Sequence, residues 1–362
     1  MDYTIAVLGS HSALDVCRGA KDEGFKTLVI CEKGKEKTYQ KYYATQGDEG
    51  CVDEVMVLEK FADILNEDVQ AELKKRNCIF IPHRSFEVYI NDYDAIENKF
   101  TVPVFGNKFL LKIEERGVKP NQYDLLEKGG IRYPKQFSDP KEIDRLSIVK
   151  VLEKERGFER AFFLVESYEE YKKYVDHNLG TGELTQELLD KAVIEEFIVG
   201  VQVNFNFFWD PINERLELLG TDTRRQTNLD GILRIPEGHQ RLALEKIKLK
   251  YEEAGHIAVT VLESMLEKAF ELGEKFVKAS KEMDPKNMGV VGPFGLQTMI
   301  IPGPPKKEII VFDVSPRMPG SPGIFATPYS GYLFGQSMSV GRRVAKEIKK
   351  AIEGNRLNEV LT

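Results

Sequence analysis

Apolar stretches of strand length alternate with polar turns through the first hundred residues. They occupy residues 4–9, 26–31, 54–58 and 78–82. Between the first two, residues 13–24 carry apolar side chains at helical spacing and end in Gly24, a residue type that commonly ends a helix. A strand, a turn, a helix and a second strand in this order are typical of a parallel sheet. We therefore predict that residues 1–100 form an α/β domain with a doubly wound parallel sheet.

The remaining chain combines further strand patterns with longer helical ones. Residues 203–209 and 215–221, separated by an Asp-Pro turn, predict an antiparallel pair of strands. Apolar side chains at helical spacing predict a long helix from Ala258 to Lys278 and a last helix from Met338 to Glu353. In the last helix, the basic pair Arg342–Arg343 is expected on a solvated face.

Polar groups end or interrupt four apolar runs in the second part of the chain. The runs are residues 148–150, 194–200, 294–297 and 311–315. In chain order they present Lys150, Glu195, Glu196, Gln297 and Asp313. A lysine can contact nucleotide phosphates, the backbone of a Glu-Glu-aromatic segment can bind an adenine edge, and glutamine and aspartate oxygens suit Mg²⁺. This order resembles that of ATP-dependent ligases of the ATP-grasp type.

The resemblance implies a domain organisation for the whole chain. After the N-terminal α/β domain, residues 101–362 would form the ATP-grasp region. Within it we expect a small lid subdomain at about 125–200 and a large subdomain at about 201–362.

Two polar turns follow predicted parallel strands in the N-terminal domain. The first contains Ser10, His11 and Ser12, and the second ends in Ser85. Because loops at the carboxyl ends of parallel strands face the same crevice, we expect His11 and Ser85 to lie close together. Backbone amides at the start of the following helix would form an anion site there. A purely structural interpretation stays open, with Ser10 as a helix cap and His11 at the surface.

Composition narrows the possible partners. The formal net charge of −7 disfavours nucleic acid and anionic membranes. The four cysteines include no Cys-x-x-Cys pair, so we expect structural thiols and neither a zinc site nor a disulfide framework. The first residues lack the basic and apolar regions of a secretory signal, and no stretch of the sequence reads as a membrane span. These features predict a cytoplasmic protein.

Motifs spread over nearly the whole chain match one known family. They lie at residues 8–14, 81–86, 102–107, 195–200, 228–236, 292–297 and 311–317. Together they resemble the archaeal formate-dependent purine synthetases of the PurP type, which use ATP to join formate to an aminoimidazole carboxamide ribonucleotide through formyl phosphate. The resemblance implies the same reaction in IMP biosynthesis, with ATP and Mg²⁺ as cofactors. It also implies a homo-oligomer, for which the family suggests a trimer-based assembly.

Residue roles follow from the same resemblance. The residues implied for substrate binding are Ser10, His11, Ser12 and Ser85. Those implied for ATP binding are Lys150, Glu195, Glu196, Phe197, Val199 and Arg224. Those implied for metal binding are Gln297 and Asp313. Further candidates for catalysis or phosphate binding are Arg317 and Arg234.

Some positions depart from the family pattern. The family has a glycine-rich, basic loop over the ATP phosphates, whereas residues 151–160 contain one glycine and three glutamates. Gln226 stands where the family has a glutamate, and His256 where it has an asparagine. Acidic side chains in such a loop would repel phosphate oxygens. These differences keep a second hypothesis open, a paralogue with weakened catalysis that binds a nucleotide or ribonucleotide and acts as a regulatory or assembly partner.

Overall fold

The computed structural model describes residues 2–150, 162–182, 184–247, 253–303 and 305–362, without the side chains of residues 162 and 226–229. The described residues form three sheets, one parallel and two antiparallel. The divergent segment at residues 151–160 lies outside the described residues.

The parallel sheet is built from the first hundred residues. Its elements are β1 Thr4–Leu8, α1 Ala13–Asp22, β2 Lys26–Glu32, β3 Glu54–Leu58, α2 Glu67–Lys75, β4 Cys78–Phe80, α3 Arg84–Ile90 and α4 Tyr93–Asn98, with a π-helical turn at Thr38–Tyr42 and a 3-10 helix at Phe61–Leu65. The strand order is β3-β2-β1-β4. The central strand β1 is buried from Ile5 to Leu8, because both faces of a parallel sheet are covered. The predicted strands and the first helix are confirmed to within two residues.

A small antiparallel sheet follows. Its elements are a 3-10 helix at Lys108–Glu114, α5 Gln122–Lys128, β5 Gln136–Phe137, a 3-10 helix at Pro140–Glu142, β6 Ser147–Lys150, β7 Phe162–Val165, α6 Tyr168–Thr181, α7 Gln186–Asp190 and β8 Val193–Glu196. The strand order is β5-β8-β6-β7. Val149, Val165 and Ile194 are buried in its own small core.

A larger antiparallel sheet occupies the rest of the chain. Its elements are β9 Val201–Asp210, β10 Arg215–Gln226, α8 Thr227–Ile232, α9 Glu237–Leu244, β11 Glu253–Ala258, a 3-10 helix at Glu263–Met265, α10 Leu266–Met283, β12 Gly292–Ile301, β13 Glu308–Ser315, a 3-10 helix at Pro322–Ala326, α11 Tyr329–Phe334, α12 Val340–Glu353 and a 3-10 helix at Leu357–Glu359. The strand order is β11-β10-β9-β12-β13. The predicted antiparallel pair is confirmed as β9 and β10.

The two faces of the large sheet have different chemistry. On one face the Phe294 ring stacks on Phe207 of β9 and on Phe276 of α10, with ring centroids 5.4 and 4.9 Å away. Because side chains alternate along a strand, the residues next to Phe207 point to the other face. There Asn204 and Asn206 are buried polar residues. The apolar face therefore forms the core, and the polar face is available for a site.

The predicted start of the long helix at Ala258 is wrong. Residues 253–258 form β11, in which His256 lies opposite Arg224 of β10. The α-helix begins at Leu266, after the 3-10 turn at Glu263–Met265. Pairing with the edge of the large sheet outweighs the helical spacing of the apolar residues in this segment.

Arg343 in α12 is buried and not on a solvated face as predicted. Its guanidinium donates to Glu217 at 2.6 Å, to Glu347 at 2.8 Å and to Asp210 at 3.0 Å. It also lies 4.1 Å over the ring of Phe208. Asp210 lies at the end of β9, Glu217 lies on β10, and Glu347 lies on α12 itself. Arg343 therefore fixes α12 to the large sheet, an arrangement that a pattern along one helix does not indicate.

Two glycines let α12 approach the N-terminal domain. A Cβ atom on Gly341 would lie 2.1 Å from the Asp15 carbonyl oxygen, and one on Gly19 would lie 2.1 Å from the Arg342 amide nitrogen. Only glycine allows α1 and α12 to cross this closely. The last helix thereby joins the parallel sheet to the large antiparallel sheet.

In the described part of the chain, no helix is both long and apolar enough to cross a membrane. Cys17, Cys31, Cys51 and Cys78 are free and buried, which confirms the prediction of structural thiols.

We expect Arg343→Met to lower the free energy of unfolding by about 3–5 kcal/mol, because three buried carboxylates would lose their shared cation. Urea unfolding followed by circular dichroism measures the change. Lys278→Met, at an exposed position of α10, is the matched control. An Arg343→Met protein no less stable than the control would contradict the structural role of this cation.

Candidate active site

The turn after β1 and the start of α3 meet at one end of the parallel sheet. They meet because β1 and β4 are neighbours in the sheet. The Ser85 hydroxyl donates to the Ser10 hydroxyl at 3.0 Å, and the rings of His11 and His83 stack with centroids 5.2 Å apart. His11 has a φ of 52°, a left-handed conformation that places its ring out of the turn. The turn that carries Ser10 and His11 therefore lies against the segment that carries His83 and Ser85, and the role of His11 and Ser85 in substrate binding stays a prediction.

The loop after β13 lies against this turn on its other side. The Ser12 hydroxyl donates to the Pro319 carbonyl oxygen at 2.5 Å. A Cβ atom on Gly320 would lie 2.5 Å from His11 Nε2, so the backbone there lies directly against the imidazole. The loop backbone therefore covers one side of the His11 ring, while the residue itself stays exposed.

His11 and His83 are both neutral at pH 7. Partial desolvation, the neighbouring His83 and the Arg317 guanidinium lower the pKa of His11 below its ordinary value. Burial lowers the pKa of His83 to about 4, although its bond to the Leu8 carbonyl opposes the shift. His83 is a structural residue, since its Nδ1 accepts from the Ser85 amide at 3.3 Å and caps α3. His11 Nδ1 lies 2.9 Å from the Ser12 hydroxyl, whose own proton goes to Pro319, so the neutral ring donates there and Nε2 is left as an acceptor.

A largely buried cluster of charged side chains lies next to this turn. Arg317 donates to Glu87 at 3.1 Å and to Glu114 at 2.7 Å, while Arg84 donates to Glu87 at 2.8 Å and to Glu115 at 3.0 Å. Burial raises the pKa of Glu114 to about 8 despite the attraction of Arg317. Arg317 is therefore bonded to Glu87, Glu114 and the Met318 carbonyl, and its guanidinium is occupied by protein groups.

A row of polar side chains crosses the polar face of the large sheet. Asp222, Asn204, Gln297 and Asp313 lie directly opposite one another on β10, β9, β12 and β13. Opposite residues on neighbouring strands share a face, so all four side chains lie on one surface. Gln297 donates to the Asp313 carboxylate at 2.7 Å, and Asn204 donates to that of Asp222 at 3.1 Å. Gln297 and Asp313 therefore lie side by side on neighbouring strands.

This row has oxygen atoms that fit a magnesium ion. Gln297 Oε1 and Asn204 Oδ1 are buried and accept no hydrogen bond from the residues that the structure describes. Burial alone would raise the pKa of Asp313, but Arg116, Arg224 and Lys150 hold it below its usual value, so the group is a carboxylate. Mg²⁺ takes few protein oxygens and keeps water and phosphate ligands. One carboxylate beside amide oxygens is consistent with that preference.

The small sheet contributes a lysine and a buried carboxylate. Lys150 at the end of β6 forms an ion pair with Glu195 on β8. The Tyr123 hydroxyl donates to the second Glu195 oxygen at 2.7 Å. Glu196 points to the opposite face and accepts from Arg132 at 2.6 Å. Glu195 and Glu196 thus point to opposite faces, as successive residues of a strand do, and the buried Glu195 faces Lys150.

The segment after β8 connects the two antiparallel sheets. The Phe197 amide donates to the Leu146 carbonyl at 2.9 Å, and Val199 is 70% exposed. A Cβ atom on Gly200 would lie 2.7 Å from the Ile300 carbonyl oxygen. The backbone of this segment therefore runs beside β12, with an exposed side chain at Val199.

Sequence reasoning missed two residues that connect these sheets. Arg116 donates through Nε to the Tyr123 hydroxyl at 3.0 Å and through Nη2 to Asp313 at 2.9 Å. Tyr123 in turn contacts Glu195, the partner of Lys150. Arg116 lies in an irregular segment between a 3-10 helix and α5, where no periodic pattern marks it.

Two further cationic side chains, Arg224 on β10 and His256 on β11, lie opposite each other. Arg224 Nε is 3.2 Å from a Glu253 oxygen, and His256 contacts both Glu253 and Asp222. Burial opposes protonation of His256, but the two carboxylates outweigh it and raise its pKa to about 9. His256 is therefore an imidazolium at neutral pH. Arg234, between α8 and α9, is exposed.

Family models cover most of the chain. Residues 5–137 match a protein of unknown function, DUF1246, and residues 170–362 match a domain of unknown function, DUF1297.

Curated relatives from archaea match the full length. Two are called 5-formaminoimidazole-4-carboxamide-1-(beta)-D-ribofuranosyl 5'-monophosphate synthetase. The protein from Methanothermobacter thermautotrophicus is 40% identical, and the alignment covers 100% of this chain and 95% of that protein. The protein from Methanopyrus kandleri is 37% identical with the same coverage.

Solved structures agree with this likeness. The IMP biosynthesis protein PurP from Thermococcus kodakaraensis is 30% identical, with a TM-score of 0.69 over 99% of this chain and 100% of that one. An ADP complex of purK, an N5-carboxyaminoimidazole ribonucleotide synthetase, shares the fold at a TM-score of 0.59 and 12% identity, over 89% of this chain and 71% of that one. The fold is thus the α/β ATP-grasp architecture. The chain belongs to the family of the archaeal 5-formaminoimidazole-4-carboxamide ribonucleotide synthetases.

Proposed function

We propose that this protein is an ATP- and formate-dependent ligase that formylates 5-aminoimidazole-4-carboxamide ribonucleotide in IMP biosynthesis. The observation that carries the proposal is the chain of contacts that joins the two antiparallel sheets: Lys150 pairs with Glu195, Tyr123 bonds both Glu195 and Arg116, and Arg116 bonds Asp313. This chain holds a lysine of the small sheet near an oxygen cluster of the large sheet, an arrangement that suits transfer of a phosphoryl group.

In the proposed reaction a formate oxygen attacks the γ-phosphorus of ATP, and the bond to the ADP oxygen breaks. The amine nitrogen of the ribonucleotide then attacks the formyl carbon, inorganic phosphate leaves, and the nitrogen loses a proton. Lys150 would contact the phosphates and offset their charge. Because formyl phosphate hydrolyses readily, the site must also exclude water during the reaction.

Mg²⁺ would be held by Gln297 and Asp313 and would supply charge neutralisation at the phosphate oxygens. The buried amide oxygen of Gln297 supports this assignment, since it lacks a partner among the described residues. The ADP complexes of similar folds support ATP as the nucleotide. Phe197 and Val199, next to Glu195 and Glu196, would line the adenine site, and Arg224 would contact the phosphates.

The turn around His11 would bind the ribonucleotide. Backbone amides at the start of α1 would bind its phosphate, with Ser10 and Ser12 beside them. The neutral His11 and the Ser85 hydroxyl would contact the ribose or the imidazole. Arg317 would act by holding this end of the cleft in place, since its donors are used by glutamates. Arg234 is exposed, so it would contact the phosphates only from the surface of the protein.

On the same basis we propose a domain division near residue 100, with a lid at about 125–200. We also propose a cytoplasmic location and a trimer-based homo-oligomer. Large exposed apolar side chains support association with further copies. They include Tyr332 of α11 at 77% exposure and Phe325 at 48%. The alternative of a paralogue without turnover is not favoured, because the likeness to the synthetases extends over the whole chain.

We expect Lys150→Ala to weaken binding of a non-hydrolysable ATP analogue with Mg²⁺ by at least about tenfold, because a charge-assisted contact to phosphate is lost. Isothermal titration calorimetry measures the affinity. Lys278→Ala removes the same charge from exposed α10 and should bind as the wild type does. Equal affinities of the two variants would argue against Lys150 as a nucleotide ligand.

The raised pKa of His256 makes the stability of the protein depend on pH. The folded-state value of about 9 lies above the ordinary 6.5. The ion pairs of His256 therefore stabilise the fold fully below pH 6.5, and this contribution is lost as the pH rises through 9. We expect the stability difference between wild type and His256→Gln to be larger at pH 6 than at pH 10, measured by urea unfolding. A difference that stays constant with pH would contradict a charged His256.

A further inference from the structure

Arg116 occupies one oxygen of the candidate metal-binding carboxylate. Its Nη2 lies 2.9 Å from Asp313 Oδ1, and the same nitrogen is 3.3 Å from the Phe312 carbonyl oxygen. The other Asp313 oxygen accepts from Gln297. Both carboxylate oxygens therefore already have donors before any ion binds.

The position of Arg116 is fixed by its own surroundings. The Tyr123 hydroxyl accepts from Arg116 Nε, and the Arg116 carbonyl accepts from the Asn121 side chain at 3.1 Å. Gln122 joins the same segment to β13, since its side chain accepts from the Val314 amide at 3.1 Å. Arg116 is thus held against Asp313 by three successive residues, and a free rotation into solvent is opposed.

A fixed cation at this place changes the electrostatics of metal binding. A divalent ion at Asp313 would lie within a few ångströms of the guanidinium charge. Two such charges repel by an amount that corresponds to about tenfold in affinity, even in a well-solvated site. Phosphate groups reverse this balance, because they add ligands for the ion and negative charge beside Arg116 and Lys150.

We propose that Arg116 is a resident cation that keeps free divalent ions off Asp313, so that the metal ion binds together with the nucleotide phosphates. This inference rests on the proposed function, in which Asp313 and Gln297 hold the ion. Arg116 is a positioning residue, and it acts on the carboxylate and not on the reacting atoms.

Tyr123 connects Arg116 to Lys150, the lysine that is proposed to bind the nucleotide phosphates. Its hydroxyl accepts from Arg116 and donates to Glu195, and Glu195 pairs with Lys150. Phosphates that draw Lys150 away from Glu195 change the charge at the far end of this hydrogen-bonded chain. The phosphates that pair with Lys150 therefore also bring negative charge near Arg116.

The test is binding of Mn²⁺ to the nucleotide-free protein at neutral pH, measured from the electron paramagnetic resonance signal of the free ion. We expect Arg116→Gln to bind Mn²⁺ at least about tenfold more tightly than the wild type, because the repelling charge is gone. Arg116→Lys keeps the charge and should stay near the wild type. Lys278→Gln, which removes an exposed charge on α10, should also leave the affinity unchanged.

A double variant shows whether the tighter Mn²⁺ binding occurs at Asp313. Adding Asp313→Asn to Arg116→Gln should abolish the gain, and a gain that persists would overturn the proposal, as would an Arg116→Gln protein with wild-type affinity. If circular dichroism shows that Arg116→Gln is unfolded, Tyr123→Phe replaces it, since it frees Arg116 by removing one hydrogen bond. An increase of about threefold is then expected, and no increase would overturn the proposal.

Calorimetry of the wild type with the ATP analogue and Mg²⁺ separates the two claims. Nucleotide binding with unchanged Mn²⁺ affinity in the variants would remove the role of Arg116 alone. A wild type that binds no nucleotide would remove the proposed function itself.

Discussion

The candidate active site is organised around two ion pairs, that of Lys150 with Glu195 and that of Arg116 with Asp313. Each brings a carboxylate that is largely shielded from water against a cation from a different part of the chain. An unpaired buried charge would cost several kcal/mol, so the two sheets depend on these partners for a stable cleft. The hydroxyl of Tyr123 joins the pairs into one network. The proposed chemistry uses the same cations, because phosphates compete with the carboxylates for them.

The position of the cleft follows from the way the sheets are built. Alternation along β9 directs Phe205 and Phe207 into the core and the neighbouring asparagines onto the polar face. The turn around His11 ends a buried parallel strand, which places it at the edge where ligands bind. The buried Arg343 in α12 then joins the large sheet to the helix that packs on α1. This helix thereby fixes the large sheet next to the parallel sheet that carries the turn around His11.

Much of the fold and part of the site could be predicted from the sequence. Apolar runs locate the strands of the parallel sheet, and the motif order locates Gln297 beside Asp313. Patterns along one segment do not reveal partners from distant ones. Arg343 was therefore wrongly expected in solvent, and the start of α10 was placed too early because β11 pairs with β10. Arg116 and Tyr123 were missed for the same reason, since their importance arises from contacts with Asp313 and Glu195.

The most direct test of the account is transfer of isotope-labelled formate by the purified protein. With ATP, Mg²⁺ and the aminoimidazole carboxamide ribonucleotide present, the account predicts label in the formylated ribonucleotide together with equal amounts of ADP and phosphate. Omission of any one substrate should abolish the labelled product. A protein that binds ATP and the ribonucleotide but transfers no label would contradict the central claim and would favour a binding role.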